Sequence, residues 1–73
     1  MEIHISRHAK RRMKERNISI EAIFETIENP EEAIPSIKGR MNYCKTIGGK
    51  HIKVTCTENP GEKLVVTVME KKS

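Results

Sequence analysis

The chain has no tryptophan, one phenylalanine and one tyrosine among 73 residues, which leaves little with which to stack nucleic-acid bases on aromatic rings. Its two cysteines, Cys44 and Cys56, are too few for a disulfide scaffold and show no C-x-x-C spacing, so reduced thiols are expected. No run of about 18 apolar residues occurs, and the first residues lack the charged, apolar, small-residue order of a secretory leader. A soluble cytoplasmic protein without a membrane partner is therefore expected. Neither G-x-x-x-x-G-K-[ST] nor G-x-G-x-x-G is present, which removes the two common phosphate-cradling loops. Aspartate and glutamine are absent although 33% of the residues are charged, a composition that goes with heat-stable proteins. At this length one domain spanning residues 1–73 is expected, with a marginal core, since such chains bury only about 60% of their unfolded surface. The expectation is a compact pair of layers, or a chain completed by a partner or a second copy.

What the chain does have is concentrated charge. Net charge is only +4, but Ser6 to Asn17 (S-R-H-A-K-R-R-M-K-E-R-N) carries Arg7, Lys10, Arg11, Arg12, Lys14 and Arg16 against the single acid Glu15. Ser6 is a capping residue, and Arg7 to Arg16 contains no glycine, proline or β-branched residue, so the stretch reads as a helix. Ala9 and Met13 give it a narrow apolar seam, too thin to make a core alone. A second segment holds Glu21, Glu25, Glu28, Glu31 and Glu32 without a base. Mutual attraction of two helices explains this weakly, at about 0–1 kcal/mol per exposed pair; a cationic wall for a polyanion explains it as well.

In order, Ile3 and Ile5 alternate with Glu2 and His4 in a short edge strand, Met1 to Ile5. After the basic helix, Ser19 caps a second helix in which Ile20, Ile23, Phe24 and Ile27 form one face, ending at Asn29-Pro30. Glu31 to Lys38 reads as a loop or irregular strand entry around Pro35. From Arg40 the period becomes two. Gly48-Gly49 is a two-residue hairpin signal that pairs Ile47 with Lys50, Lys45 with Ile52, Tyr43 with Val54 and Met41 with Cys56. The turn cluster Glu58 to Glu62 would pair Thr57 with Lys63, Val54 with Val66, Cys56 with Leu64 and Ile52 with Val68. The predicted fold is α+β in the order β-α-α-β-β-β, two helices on one face of a small antiparallel sheet. Its open face would carry Arg40, Asn42, Cys44, Thr46, His51, Lys53, Thr55, Val65, Thr67 and Met69, with Lys53 between Cys44 and Thr67.

The motif H-A-x-x-R-M-x-x-R-x-I at His8 to Ile18, I-E-x-P at the end of the second helix, Gly49-Lys50-x-Ile52-Lys53-Val54 and V-V-T-V at Val65 to Val68 resemble a small prokaryotic family, domain of unknown function 4258. That family is similar to the RelE- and BrnT-like toxins of toxin–antitoxin operons, which implies a RelE-like fold, metal-independent cleavage of RNA, in some cases on the ribosome, and an antitoxin partner. The chain lacks the C-terminal helix that carries a catalytic tyrosine in some of those toxins, so their site residues do not transfer directly.

Metal-independent RNA cleavage needs a base for the 2′-hydroxyl, an acid for the leaving oxygen and cations for the phosphate. His8, at the start of the basic helix, is the candidate base, and Arg12, one turn on, the candidate phosphate holder. Arg11, Lys53, Thr67 and Arg40 are candidate substrate contacts. Tyr43 falls on the apolar face and is expected in the core. No His/Cys spacing supports a metal, and no cofactor is expected. The alternative is a non-catalytic module that binds nucleic acid or a protein through the same basic wall.

Overall fold

The computed structural model describes residues 2–71. Strand β1 (Glu2–Ile5) is followed by helix α1 (Arg7–Arg16), helix α2 (Ile20–Glu28), and strands β2 (Glu32–Pro35), β3 (Arg40–Ile47), β4 (Lys50–Asn59) and β5 (Glu62–Lys71). The strands form one sheet in the order β1-β5-β4-β3-β2. β1 runs parallel to β5 and all other neighbours are antiparallel. The architecture is thus α+β with both helices over one face, and the sheet is mixed and five-stranded rather than small and antiparallel. Two features account for the difference. β2 is an exposed edge strand with no inward-outward alternation to read, ending at a proline that only an edge tolerates. β1 joins the far edge alongside the last strand, a pairing that local pattern does not specify.

Both helices begin as their capping residues dictate. The Ser6 hydroxyl accepts from the Ala9 N–H and the Ser19 hydroxyl from the Ala22 N–H, each at 3.1 Å. Asn17 ends α1 in the left-handed region at φ 56°. Its N–H donates to the Lys14 carbonyl, and the Ile18 N–H to the Met13 carbonyl at 2.9 Å, the paired closure that satisfies the last helical carbonyls. The Lys50 ammonium adds donors to the carbonyls of Arg16 and Asn17 at 3.1 and 3.0 Å, tying the β3–β4 hairpin to the negative end of α1.

The core comprises Ala9, Ile18, Ile23, Ile27, Tyr43, Ile52, Val54, Cys56, Val65 and Val68. In α2 the buried stripe is Ile23, Thr26 and Ile27; Phe24 is half-buried and Ile20 is 44% exposed. The stripe is therefore turned from the expected one, and Thr26 enters it because its hydroxyl donates to the Ala22 carbonyl at 2.7 Å.

The β3–β4 register follows the Gly48-Gly49 turn as expected, with Ile47 opposite Lys50 and Met41 opposite Cys56. The β4–β5 register does not. The turn centres on Pro60-Gly61, with Asn59 opposite Glu62 and Gly61 at φ 77°, which suits a proline-glycine turn. Glu58 faces Lys63, Cys56 faces Val65 and Val54 faces Val68, with a bulge beside Thr55 and Cys56 that leaves Val66 as the extra residue. The bulge is what lets Val65 and Val68, three positions apart, both point inward at 0% exposure. Val65 consequently belongs to the core and not to the open face, and Lys53 lies between Cys44 and Met69.

Candidate nucleic-acid interface

Helix α1 packs chiefly on β5, seating Ala9 and Met13 against the core. Beyond Ile5, β1 no longer accompanies β5, and the edge of β5 from Val66 onward meets α1 instead. Ser6 fixes that junction. Its N–H donates to the Val65 carbonyl at 3.0 Å and its hydroxyl to the Val66 carbonyl at 3.2 Å. Around the β5 edge, Arg12 and Arg16 face Thr67, Val68, Met69 and Glu70 across a small cavity of about 140 Å³.

This placement sorts the sequence candidates. Arg12 and Thr67 come together at that cavity. His8 stands one helical turn before Arg12, exposed and with no side-chain hydrogen bond among the described residues. Arg11 is exposed on the solvent side of α1. Lys53 and Arg40 are not part of the group, because they project from the sheet face that the helices leave open, Arg40 opposite Thr57 and Lys53 opposite Cys44. Arg16 was missed as a candidate, although its position one turn after Arg12 was a readable signal.

The charge of α1 is spent on almost nothing inside the molecule. Among the described residues its one ion pair is Arg12 with Glu15, at 3.6 Å within the same helix. The two helices scarcely touch, and Glu25 of α2 pairs with Lys45 of β3 at 2.8 Å instead. That Lys45 contact, with the hydrogen bond from Asn29, holds the Glu25 carboxyl below its usual range. Attraction between a basic and an acidic helix is therefore not what the basic stretch is for.

Residues 5–70 match the model of a family described as a domain of unknown function, DUF4258. The chain belongs to the DUF4258 family. No curated protein and no solved structure matches it. In this DUF4258 chain the four sequence motifs fall on α1, the end of α2, the start of β4 and the bulged segment of β5. The first and last of them meet at the Arg12–Thr67 cavity.

A polar cluster that the sequence did not announce lies at the other end of the sheet. Tyr43 is in the core as expected, at 6% exposure, and its hydroxyl donates to the Glu58 carboxylate while accepting from the Lys63 ammonium. Lys63 also donates to Glu58 at 3.1 Å. Burial, then the Glu58 contact, push the Tyr43 phenol up. Burial works against the Lys63 ammonium, but its bonds to Tyr43 and Glu58 outweigh that and raise it. The three groups are mutual partners at the rim of the core, with Glu58 reaching solvent and Tyr43 too covered to take a substrate. At the corner of the open face the exposed Glu2, His4 and Glu62 bring their ligand atoms within 4.8 Å of one another, with His4 3.2 Å from Glu2 and 3.8 Å from Glu62. His51 is paired elsewhere, its Nδ1 hydrogen-bonded to the Thr46 hydroxyl at 3.0 Å. No described helix is long and apolar enough to cross a membrane.

Proposed function

We propose that this protein binds RNA through the flank of α1 that carries Arg12 and Arg16, beside the segment Thr67 to Glu70 of β5. The observation that supports this is the lack of internal use for the α1 cations: apart from Arg12 with Glu15, they form no ion pair among the described residues. Six cations on a helix of 10 residues repel one another; a polyanion neutralises them, and the condensed counterions it releases drive the association. Guanidinium groups suit phosphate because they donate in a bidentate fork. With so few aromatics, recognition rests on the backbone and carries little base preference.

The test is the affinity for a single-stranded RNA oligonucleotide at a series of salt concentrations. Each phosphate contact to a single strand contributes about 0.7 to the slope of log K against log salt, so Arg12→Ala/Arg16→Ala should lower that slope by about 1.4. An affinity that does not change with salt, or a double variant with the parent slope, defeats the reading.

Cleavage of the bound RNA is a second reading, in which the protein is a RelE-like, metal-independent endoribonuclease of the cytoplasm with an antitoxin partner. It is favoured by His8 and Arg12 standing one helical turn apart on one flank of α1, with Thr67 lining the same cavity as Arg12. His8 would take the 2′-hydroxyl proton as that oxygen attacks the phosphorus, Arg12 would hold the phosphate, and the departing 5′-oxygen would take a proton from water; general acid–base catalysis of this kind contributes about 10²–10⁴-fold. Cleavage with chelator present, of free RNA or on translating ribosomes, should be lost in His8→Ala with binding retained. Cleavage that persists in His8→Ala removes His8 as the base, and no cleavage by the parent on either substrate leaves binding alone.

A further inference from the structure

The opposite flank of α1 borders a different kind of surface. Lys10, Met13, Lys14, Asn17, Ile18 and Ser19 line a concavity of about 410 Å³. A second one, about 200 Å³, adjoins it through the shared Asn17, Ile18 and Ser19 and extends over Ala22, Ile47, Gly48, Lys50 and Ile52. Together they make a channel that starts at the lysine flank of α1, crosses the α1–α2 corner and ends at the β3–β4 hairpin. Its floor is apolar. Its charged lining residues are Lys10, Lys14 and Lys50, and no carboxylate lines either part. Ile20, just past Ser19, is left 44% exposed although its helix has an apolar stripe to bury.

We infer that this channel is a docking site for an acidic peptide segment of a partner protein, one that sets an aliphatic side chain on Met13 and Ile18 and its carboxylates against Lys10 and Lys14. Charge complementarity selects the occupant. A wholly apolar segment would leave two ammonium groups at the rim without counter-charge, whereas a peptide with acids flanking an apolar anchor satisfies rim and floor at once. A nucleic-acid strand could use the lysines but has no aliphatic group for Met13 and Ile18. The backbone at the corner is held firmly for such a role, by the paired helix closure at Asn17 and by the Lys50 bonds to Arg16 and Asn17, so little ordering is required on binding. The inference is independent of RNA binding, which is assigned to the other flank.

The probe is a synthetic peptide of glutamates around two leucines, with two controls, the same peptide with serine for leucine and the same with lysine for glutamate. Amide chemical shifts of the whole protein are followed during titration with each. The acidic leucine peptide should move Lys10, Met13, Lys14, Ile18 and Ser19. Both controls should bind at least about tenfold more weakly, as should Lys10→Glu/Lys14→Glu with the acidic peptide. Lys10 and Lys14 are exposed, so this variant keeps the core, and its unchanged shifts in β4 would verify that. Arg12→Ala/Arg16→Ala should bind the acidic peptide as the parent does. Equal binding of the serine control, or shifts centred on Arg12 and Arg16, would reduce the effect to general attraction for anions and overturn the assignment. Movement of the channel residues by single-stranded RNA but not by the peptide would overturn it in favour of nucleic acid.

Discussion

The Lys63 ammonium sits 4.4 Å from the centre of the Tyr43 ring and donates to the hydroxyl of the same side chain. One lysine thus meets both the face and the polar tip of one tyrosine, and Glu58 closes the set. Tyr43 and Lys63 both hold their protons more tightly in the folded chain than in the unfolded one. As pH rises, the unfolded chain therefore releases these protons first, so the stability they provide is complete near neutrality and falls away above their ordinary values of 10.0 and 10.5. Tyr43→Phe should cost about 1–2 kcal/mol at neutral pH, and Tyr43→Phe/Lys63→Met should flatten the alkaline limb of a melting-temperature profile. A double variant with the parent's alkaline limb would place the titration elsewhere.

The β5 bulge makes two adjacent valines unequal. Val65→Asp should abolish the folded state by burying an unpaired carboxylate, while Val66→Thr, at the extra and half-exposed position, should shift the melting temperature little. Circular dichroism melts compare them directly. The register inferred from sequence alone demands the reverse order.

In α2, Ile23 is the fully covered residue and Phe24 the half-buried one. Ile23→Ala should cost about 2–5 kcal/mol, a large part of the roughly 5–15 kcal/mol that holds a domain together. Phe24→Ala should fall below the approximately 3–5 kcal/mol typical of a fully buried phenylalanine. Urea unfolding of the two variants gives the ranking.

The thiols differ as sharply. Cys56 is fully buried, and desolvation pushes its thiol up to about 11, whereas Cys44 is half-exposed on the open face beside Lys53. Iodoacetamide on the native protein should alkylate Cys44 and spare Cys56 until denaturant is added. Mass spectrometry after digestion reads both sites.

Legibility in the sequence followed the range of the interactions. Gly48-Gly49 fixed the β3–β4 register, because a two-residue turn with both residues at positive φ leaves one pairing open. V-V-T-V in β5 carries apolar side chains at both parities, so period-two counting cannot show that Val66 bulges and Val65 turns inward. β1 was legible as a strand but not as the parallel neighbour of β5. Of the candidate site, the cations of α1 were evident from composition, and their nearness to Thr67 was not, since it depends on where β1 stops along β5. The sequence register placed Glu58 in the turn and Lys63 opposite Thr57; only the observed register sets Glu58 and Lys63 across from each other and against Tyr43.

Pairing β1 with β5, Glu2 beside Glu62 and Ile5 beside Val65, also sets the order of events during synthesis. The Ser6 hydroxyl and N–H that launch α1 have their carbonyl partners on β5, so a ribosome must deliver the last strand before the first strand and the basic helix can settle. Until then α1 lacks the β5 surface on which Ala9 and Met13 pack. Closure of the β1–β5 pair is accordingly the late, long-range step expected to limit folding.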